Sequence, residues 1–234
     1  MFTALIQTRT SSKRLRSKVI LKILNTFIFI IVYKRVLRSK YISKAIILTS
    51  KSKSDDIIEK ICKSNKIPYF RGSLNNVLKR YYDCAKYYKL NDVVRITSDC
   101  PLIDPKIISK ICKKYKQYKY NYVSNIIKST FPDGLDVEIF SFKLLKNTFK
   151  NCKSYLEKEH VTLNMLRNKK VSKYNIKYKK NLSNYRFTLD TYDDFIKIKE
   201  VFNKYKSIYK PDLNELIKLI KKNKKKFFFK RLSY

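Results

Sequence analysis

Three stretches of this chain carry residue types that can do phosphate chemistry. The first is Thr8-Arg9-Thr10-Ser11-Ser12-Lys13-Arg14-Leu15-Arg16-Ser17-Lys18, directly after the apolar run Phe2 to Gln7. Its hydroxyls interleave with cations, and phosphate recognition needs oriented donors together with neutralising charge. The second is RITSDCPLIDP, where Asp99 follows an apolar run. A carboxylate there is a natural Mg²⁺ ligand, because Mg²⁺ takes one or two carboxylates plus substrate phosphates. The third is RFTLDTYDD, where Asp190 stands in the same relation to Arg186–Leu189 and can supply a second carboxylate. Helix capping is the competing role for both aspartates. The chain has one histidine, His160, in Glu157-Lys158-Glu159-His160-Val161-Thr162. A lone histidine is most often structural, and no serine elbow accompanies it, so Ser-His-Asp hydrolysis has nothing to recommend it.

These groups need a scaffold that brings distant loops together. Apolar runs at Phe2–Gln7, Ala45–Leu48, Ile67–Phe70, Val93–Thr97 and Tyr122–Asn125 predict strands. Amphipathic stretches at Leu24–Ser39, Asp55–Ser64 and Asn75–Tyr88 predict the intervening helices, and Asp104-Pro105 opens another with an acid cap and a first-turn proline. A strand at Val137–Phe140, a helix around Glu157–Arg167 and a strand at Arg186–Leu189 complete the pattern. Such alternation implies an α/β fold with a mostly parallel sheet covered on both faces. Ligands in such sheets bind at the carboxyl ends of strands. That rule selects the loops at 8–18, 49–54, 71–73 and 98–101.

Composition narrows the classes. The 234 residues include 55 Lys and Arg against 18 Asp and Glu, a formal charge of +37, but only 2 Gly. Phosphate loops built from several glycines are therefore excluded, as are collagen and flexible Gly-rich linkers. The lysines are scattered, as compositional drift would leave them, apart from the dense run Lys221 to Arg231. The charge still offers a nucleic-acid-binding reading, which the lack of RNP-like or helix-turn-helix patterns opposes. Five cysteines without C-x-x-C spacing fit a reducing cytoplasm and suggest no zinc site. The longest apolar run, Thr26 to Tyr33, falls far short of the roughly 20 residues of a membrane span. The expectation is a soluble, cytoplasmic protein.

Taken together, the motifs LIQTRTSSKRLRSKV, YFRGSLNNVLKRYYDCAKYY, DVVRITSDCPLIDP, TFPDGLDVEIFSF, EKEHVT and NLSNYRFTLDTYDDFIKIKEVF are recognisable. The chain resembles the SpsF-type cytidylyltransferases, the spore-coat polysaccharide biosynthesis proteins related to CMP-acylneuraminate and CMP-Kdo synthetases. The resemblance implies a nucleotide-diphospho-sugar transferase fold, a Rossmann-like three-layer sandwich; with the length of the chain this gives one nucleotidyltransferase domain over 1–220, and the lysine run marks a basic tail over 221–234. The resemblance also implies transfer of CMP from CTP to a sugar, an acidic one by kinship, with release of pyrophosphate, for surface polysaccharide or glycan synthesis. A glycosyltransferase of the same fold consuming a nucleotide-sugar is the alternative. By position, Arg9, Ser12, Lys13, Arg14, Arg80 and Thr97 are implied nucleotide contacts. Lys18, Asp99 and His160 are implied catalytic residues. Asp99 and Asp190 are implied Mg²⁺ ligands, with Asp193 as fallback. Asp136, Glu138 and His160 are implied to line the sugar side. CTP and the sugar are the implied partners, with no nucleic acid, and kinship suggests a homodimer. One departure stands out. The family loop commonly reads R-L-P-G-K, whereas this chain has Arg14-Leu15-Arg16-Ser17-Lys18 and loses a glycine that tolerates φ > 0.

Overall fold

The computed structural model describes residues 1–12, 14–118 and 120–228; Lys13 of the basic loop and residues 229–234 of the basic tail lie outside the described residues. The elements run β1 (Phe2–Gln7), β2 (Lys22–Ile23), β3 (Thr26–Phe27), α1 (Ile28–Val36), β4 (Ile42–Ser50), α2 (Asp56–Ser64), β5 (Tyr69–Gly72), α3 (Val77–Tyr87), β6 (Asp92–Thr97) and α4 (Pro105–Gln117). Then come β7 (Tyr122–Ser124), β8 (Glu138–Ser141), α5 (Phe142–Lys150), α6 (Tyr155–Glu159), α7 (Leu163–Arg167), β9 (Lys173–Asn175), α8 (Tyr192–Tyr205), α9 (Leu213–Lys222) and α10 (Lys224–Phe227).

Seven strands form one sheet in the order β5-β4-β1-β6-β8-β7-β9. β5, β4, β1 and β6 run parallel, while β8 is antiparallel to both β6 and β7. Alternate residues of the central strands enter separate cores. Ala4, Ile6, Ile47, Val94 and Ile96 pack with α1, α2 and α4. Leu5, Ile46, Leu48 and Val93 pack with α3 and α5 on the opposite face. Both faces are covered, which gives the three expected layers. After β1 the chain builds outward through β4 to β5, then returns to place β6 on the other side of β1. The crevice between the ends of β1 and β6 is therefore a topological switch point, where ligands bind in such sheets. No helix of the described residues is long and apolar enough to cross a membrane.

Three expectations are corrected. The helix expected from Leu24 starts at Ile28 and ends at Val36, and Leu24–Phe27 belongs to the β2–β3 hairpin. Leu24 and Asn25 occupy its turn at φ 46° and 57°. Two successive left-handed residues are what a two-residue hairpin turn requires. The helix expected around Glu157–Arg167 is broken at His160–Thr162 into α6 and α7, with Val161 at φ 26°. Arg186–Leu189 is not a ladder strand. Its backbone bonds go to loops: Phe187 N–H donates to Asp133 O at 2.8 Å and Leu189 N–H to Asp99 O at 2.8 Å. Asp104 does cap α4, accepting from Lys106 N–H at 2.7 Å.

Gly134 shows why one of the two glycines is needed. Its φ is +97°, and a Cβ there would lie 2.7 Å from the Phe187 carbonyl carbon. Backbone cannot yield as a side-chain tip can. Gly134→Ala is expected to destabilise the fold by roughly 2–4 kcal/mol. Thermal unfolding checks this, at about 2–4 °C of Tm per kcal/mol for a chain of this size.

Candidate active site

The basic loop is stapled at its root by Asp55, a fully buried residue. One Asp55 oxygen accepts from both the N–H and the hydroxyl of Thr10, each at 2.8 Å. The other accepts from the Ser50 hydroxyl at 2.5 Å. Burial pushes this carboxyl up, but the hydrogen bonds from Ser50 and Thr10 outweigh it and hold the pKa below the ordinary range. Ser17 N–H closes the loop onto Thr10 O at 2.9 Å, with Ser17 at φ 55°. Serine thus adopts the left-handed conformation where the resemblance leads one to expect glycine.

A short 3-10 turn, Lys18–Ile20, then carries Lys18 into the crevice. Its ammonium donates to Asp99 Oδ2 at 2.9 Å, to Asp190 Oδ1 at 2.9 Å and to Leu189 O at 2.6 Å. Burial alone would lower the Lys18 pKa, but the two carboxylates prevail and raise it. Burial would likewise raise Asp99, but the Lys18 charge holds it below its ordinary value. Asp190 is further held by Arg14 Nη2 at 2.8 Å and by a close contact with Arg186. Neither aspartate is a helix cap. Thr191 caps α8 in a capping box with Asp194, and Asp104 caps α4. Asp193 sits exposed in the first turn of α8.

These groups open into a cleft of about 590 Å³. Its lining includes Ser11, Ser12, Arg14, Lys18, Asp99 and Asp190 together with Gln7, Arg95, Thr97, Glu159 and His160, and the exposed Tyr155 and Leu156. The Arg9–Glu159 ion pair, at 2.7 Å, joins the basic loop to α6. Among the described residues, every cation lining the cleft is paired with a carboxylate: Arg9 with Glu159, Arg14 and Lys18 with Asp190, Arg95 with Glu138. A wider opening of about 650 Å³ beside β5, lined by Lys63, Lys66, Tyr69 and Tyr87, holds no converging carboxylates. The smaller cleft is therefore the candidate site.

The structure brings together Arg9, Ser12, Arg14, Lys18, Thr97, Asp99, His160 and Asp190. It places three others elsewhere. Arg80 is fully buried behind Gly72–Leu74, donating to Ser73 O at 2.8 Å and Leu74 O at 3.1 Å. It packs so closely on Gly72 that a Cβ there would lie 2.7 Å from Arg80 Cγ. Glu138 is buried under the cleft wall. Asp136 is half-buried before β8, close enough to Cys100 for its charge to raise that thiol. Gln7, Arg95 and Glu159 were not anticipated. A signal existed for one of them: Arg95, Thr97 and Asp99 alternate along β6 and beyond its end, so they share a direction.

Comparison with known proteins bears on the fold and the family. A cytidylyltransferase from Leptospira borgpetersenii serovar Hardjo-bovis superposes with a TM-score of 0.91 at 33% identity, covering 100% of both chains. The spore coat polysaccharide biosynthesis protein SpsF of Bacillus subtilis is 29% identical, over 94% of this chain and 93% of its own. A CMP:2-keto-3-deoxy-manno-octonic acid synthetase solved with CTP shares the fold at TM-score 0.67 and 12% identity, over 88% of this chain and 100% of its own. The profile of the family described as cytidylyltransferase matches residues 3–231, so the chain belongs to the cytidylyltransferase family of nucleotidyltransferases.

Proposed function

We propose that the protein transfers CMP from CTP to a sugar acceptor, with Mg²⁺ and with release of pyrophosphate, in the synthesis of surface polysaccharide or glycan. One observation carries this reading: Asp99 and Asp190 converge on a single point, both 2.9 Å from the Lys18 ammonium, at the switch point beside a basic hydroxyl loop. Asp99 and Asp190 would hold Mg²⁺ there once the Lys18 ammonium turns from between them toward the phosphates. The donors are hard oxygens, two carboxylates with the Leu189 carbonyl beside them. Among the described residues no group of three or more His, Cys, Asp or Glu side chains could hold a metal ion, so the protein would supply only these two carboxylates. Two carboxylates with room for water and phosphate oxygens is the usual Mg²⁺ arrangement.

When bound, Mg²⁺ supplies charge neutralisation for the phosphates. The chain's own residues do the rest. Ser11, Ser12 and Arg14 bind phosphate oxygens, and Lys18 neutralises charge as it develops on the leaving pyrophosphate. The acceptor oxygen attacks the α-phosphorus in line. The new P–O bond forms as the bond to the bridging oxygen breaks, and its electron pair leaves with pyrophosphate. A carboxylate or phosphate oxygen as nucleophile needs no base; a hydroxyl would give its proton to His160, which faces the cleft. On the acceptor side the Arg95–Glu138 pair presents guanidinium N–H donors suited to the oxygens of an acidic sugar.

The test is pyrophosphate release on mixing the protein, Mg²⁺ and CTP with neutral and acidic sugars, beside a thermal-shift screen of the four NTPs. The reading predicts stabilisation by CTP with Mg²⁺ and release with at least one acidic sugar. No stabilisation by any NTP and no pyrophosphate would overturn it.

A further inference from the structure

Glu138 opens β8 and lies opposite Arg95 of β6 in antiparallel register. It is 2% exposed. One carboxylate oxygen pairs closely with the Arg95 guanidinium. The other accepts from the Tyr122 hydroxyl at 2.5 Å and from the Thr162 hydroxyl at 2.7 Å. Three strands and the turn after α6 thus meet on one buried carboxylate. Burying an ion pair carries a desolvation cost that its own attraction often fails to recover, so such a pair is weak evidence of a stabilising role. Its position suggests another role. Arg95 lines the cleft, and Thr162 follows two residues after His160, which also lines it.

Val161 stands between His160 and Thr162 at φ 26°. A β-branched residue in the left-handed region costs of order 1–3 kcal/mol and persists only where its surroundings over-determine it. The Val161 side chain is fully buried in the core that packs against α3 and α5. Thr162, 3% exposed, is tied down by Glu138. His160 differs: it is exposed, and its imidazole makes no hydrogen bond among the described residues. Nothing bonded to the ring sets its direction. The backbone sets where its Cβ leaves the turn, through His160 N–H to Leu156 O at 2.8 Å and Leu163 N–H to His160 O at 2.9 Å.

We propose that Glu138 and Thr162 are positioning residues: the buried carboxylate holds the strained His160 turn and the Arg95 head in one fixed relation on the acceptor wall, without touching the acceptor. The assignment rests on the proposed function only in taking that wall as the acceptor side.

Because the chain has one histidine, a single imidazole NMR signal reports on this turn. Mn²⁺ with CTP is the probe, since paramagnetic broadening falls steeply with distance. Thr162→Val keeps the shape of the side chain and removes the donor; Thr162→Ser keeps the donor. In Thr162→Val the His160 signal should shift and its broadening change severalfold, with Mn²⁺·CTP affinity held within about twofold, as for independent sites. Thr162→Ser should keep the wild-type signal. Where an acceptor is turned over, Thr162→Val should lower kcat by about tenfold in the presence of His160 and by almost nothing in a His160→Ala background. An unchanged imidazole signal in Thr162→Val overturns the proposal, and so does a Thr162→Ser signal displaced from wild type. If Mn²⁺·CTP broadens nothing in the wild type, the metal–nucleotide reading fails instead, and the imidazole shift still decides the positioning role.

Discussion

Asp99→Asn is expected to lose CTP-dependent pyrophosphate release by at least about a hundredfold while the protein stays folded. The substitution keeps the shape and removes one of the two charges that converge on the Lys18 ammonium. The fold should survive, because Lys18 keeps its bonds to Asp190 and to the Leu189 carbonyl. The introduced side chain would still accept a hydrogen bond, but a neutral amide is a poor Mg²⁺ ligand. The measurement is the pyrophosphate assay over a Mg²⁺ titration, with circular dichroism as the check on folding. Turnover near the wild-type rate would remove Asp99 from the metal site.

Lys18→Met should affect both stability and rate. It leaves Asp99 without the cation that holds its pKa down, so burial would then raise that carboxyl. Breaking a buried pair by removing one partner costs about 3–5 kcal/mol. Turnover should fall by roughly a hundredfold or more as the leaving group loses a positive charge. The pH dependence follows from the directions of the two shifts. The folded-state pKa of Lys18 lies above its ordinary 10.5, so its stabilisation is complete below that value and is lost as pH rises through the raised one. Asp99 lies below its ordinary 3.8, so its stabilisation is present above that value and is lost as pH falls through the lowered one. Tm against pH should therefore show the Lys18 contribution disappearing on the alkaline side in the wild type and absent throughout in Lys18→Met. Mg²⁺ without nucleotide should raise the Tm of the variant more than that of the wild type, since no ammonium stands between the carboxylates. An equal response in both proteins would argue against Lys18 and Mg²⁺ sharing that place.

The alternation of strands and helices was legible because apolar runs and amphipathic stretches are local properties. The Leu24–Phe27 hairpin was not, because an apolar residue adopts the left-handed turn conformation and the run reads as helix. The site was legible to the extent that it follows the strand-end rule. Asp99 was found that way; Asp190 was found beside a run read as a strand that forms no ladder, and the meeting of the two through Lys18 spans 81 and 172 residues of sequence and depends on strand order. Glu138 misled for a related reason. A glutamate beside a site motif suggests a substrate contact, and only the β6–β8 register shows that it faces Arg95 under the wall. The reach of Arg80 into the loop beyond Gly72 is likewise a packing fact with no local signature.

The left-handed backbone positions have a consequence for thermal tolerance. Gly134 is the one glycine with positive φ among the described residues, while Ser17, Leu24, Asn25, Lys66, Lys89, Val161 and Lys206 also stand at positive φ. Lys66, Lys89 and Lys206 lie at or just beyond the carboxyl ends of α2, α3 and α8, where helices ordinarily recruit glycine. Each such residue carries roughly 1–2 kcal/mol of conformational cost that glycine would not, offset in part by the greater chain entropy glycine brings to the unfolded state. The protein thus holds a reserve of untapped heat resistance at its helix ends, outside the cleft lining and open to engineering without touching the Lys18 crossing.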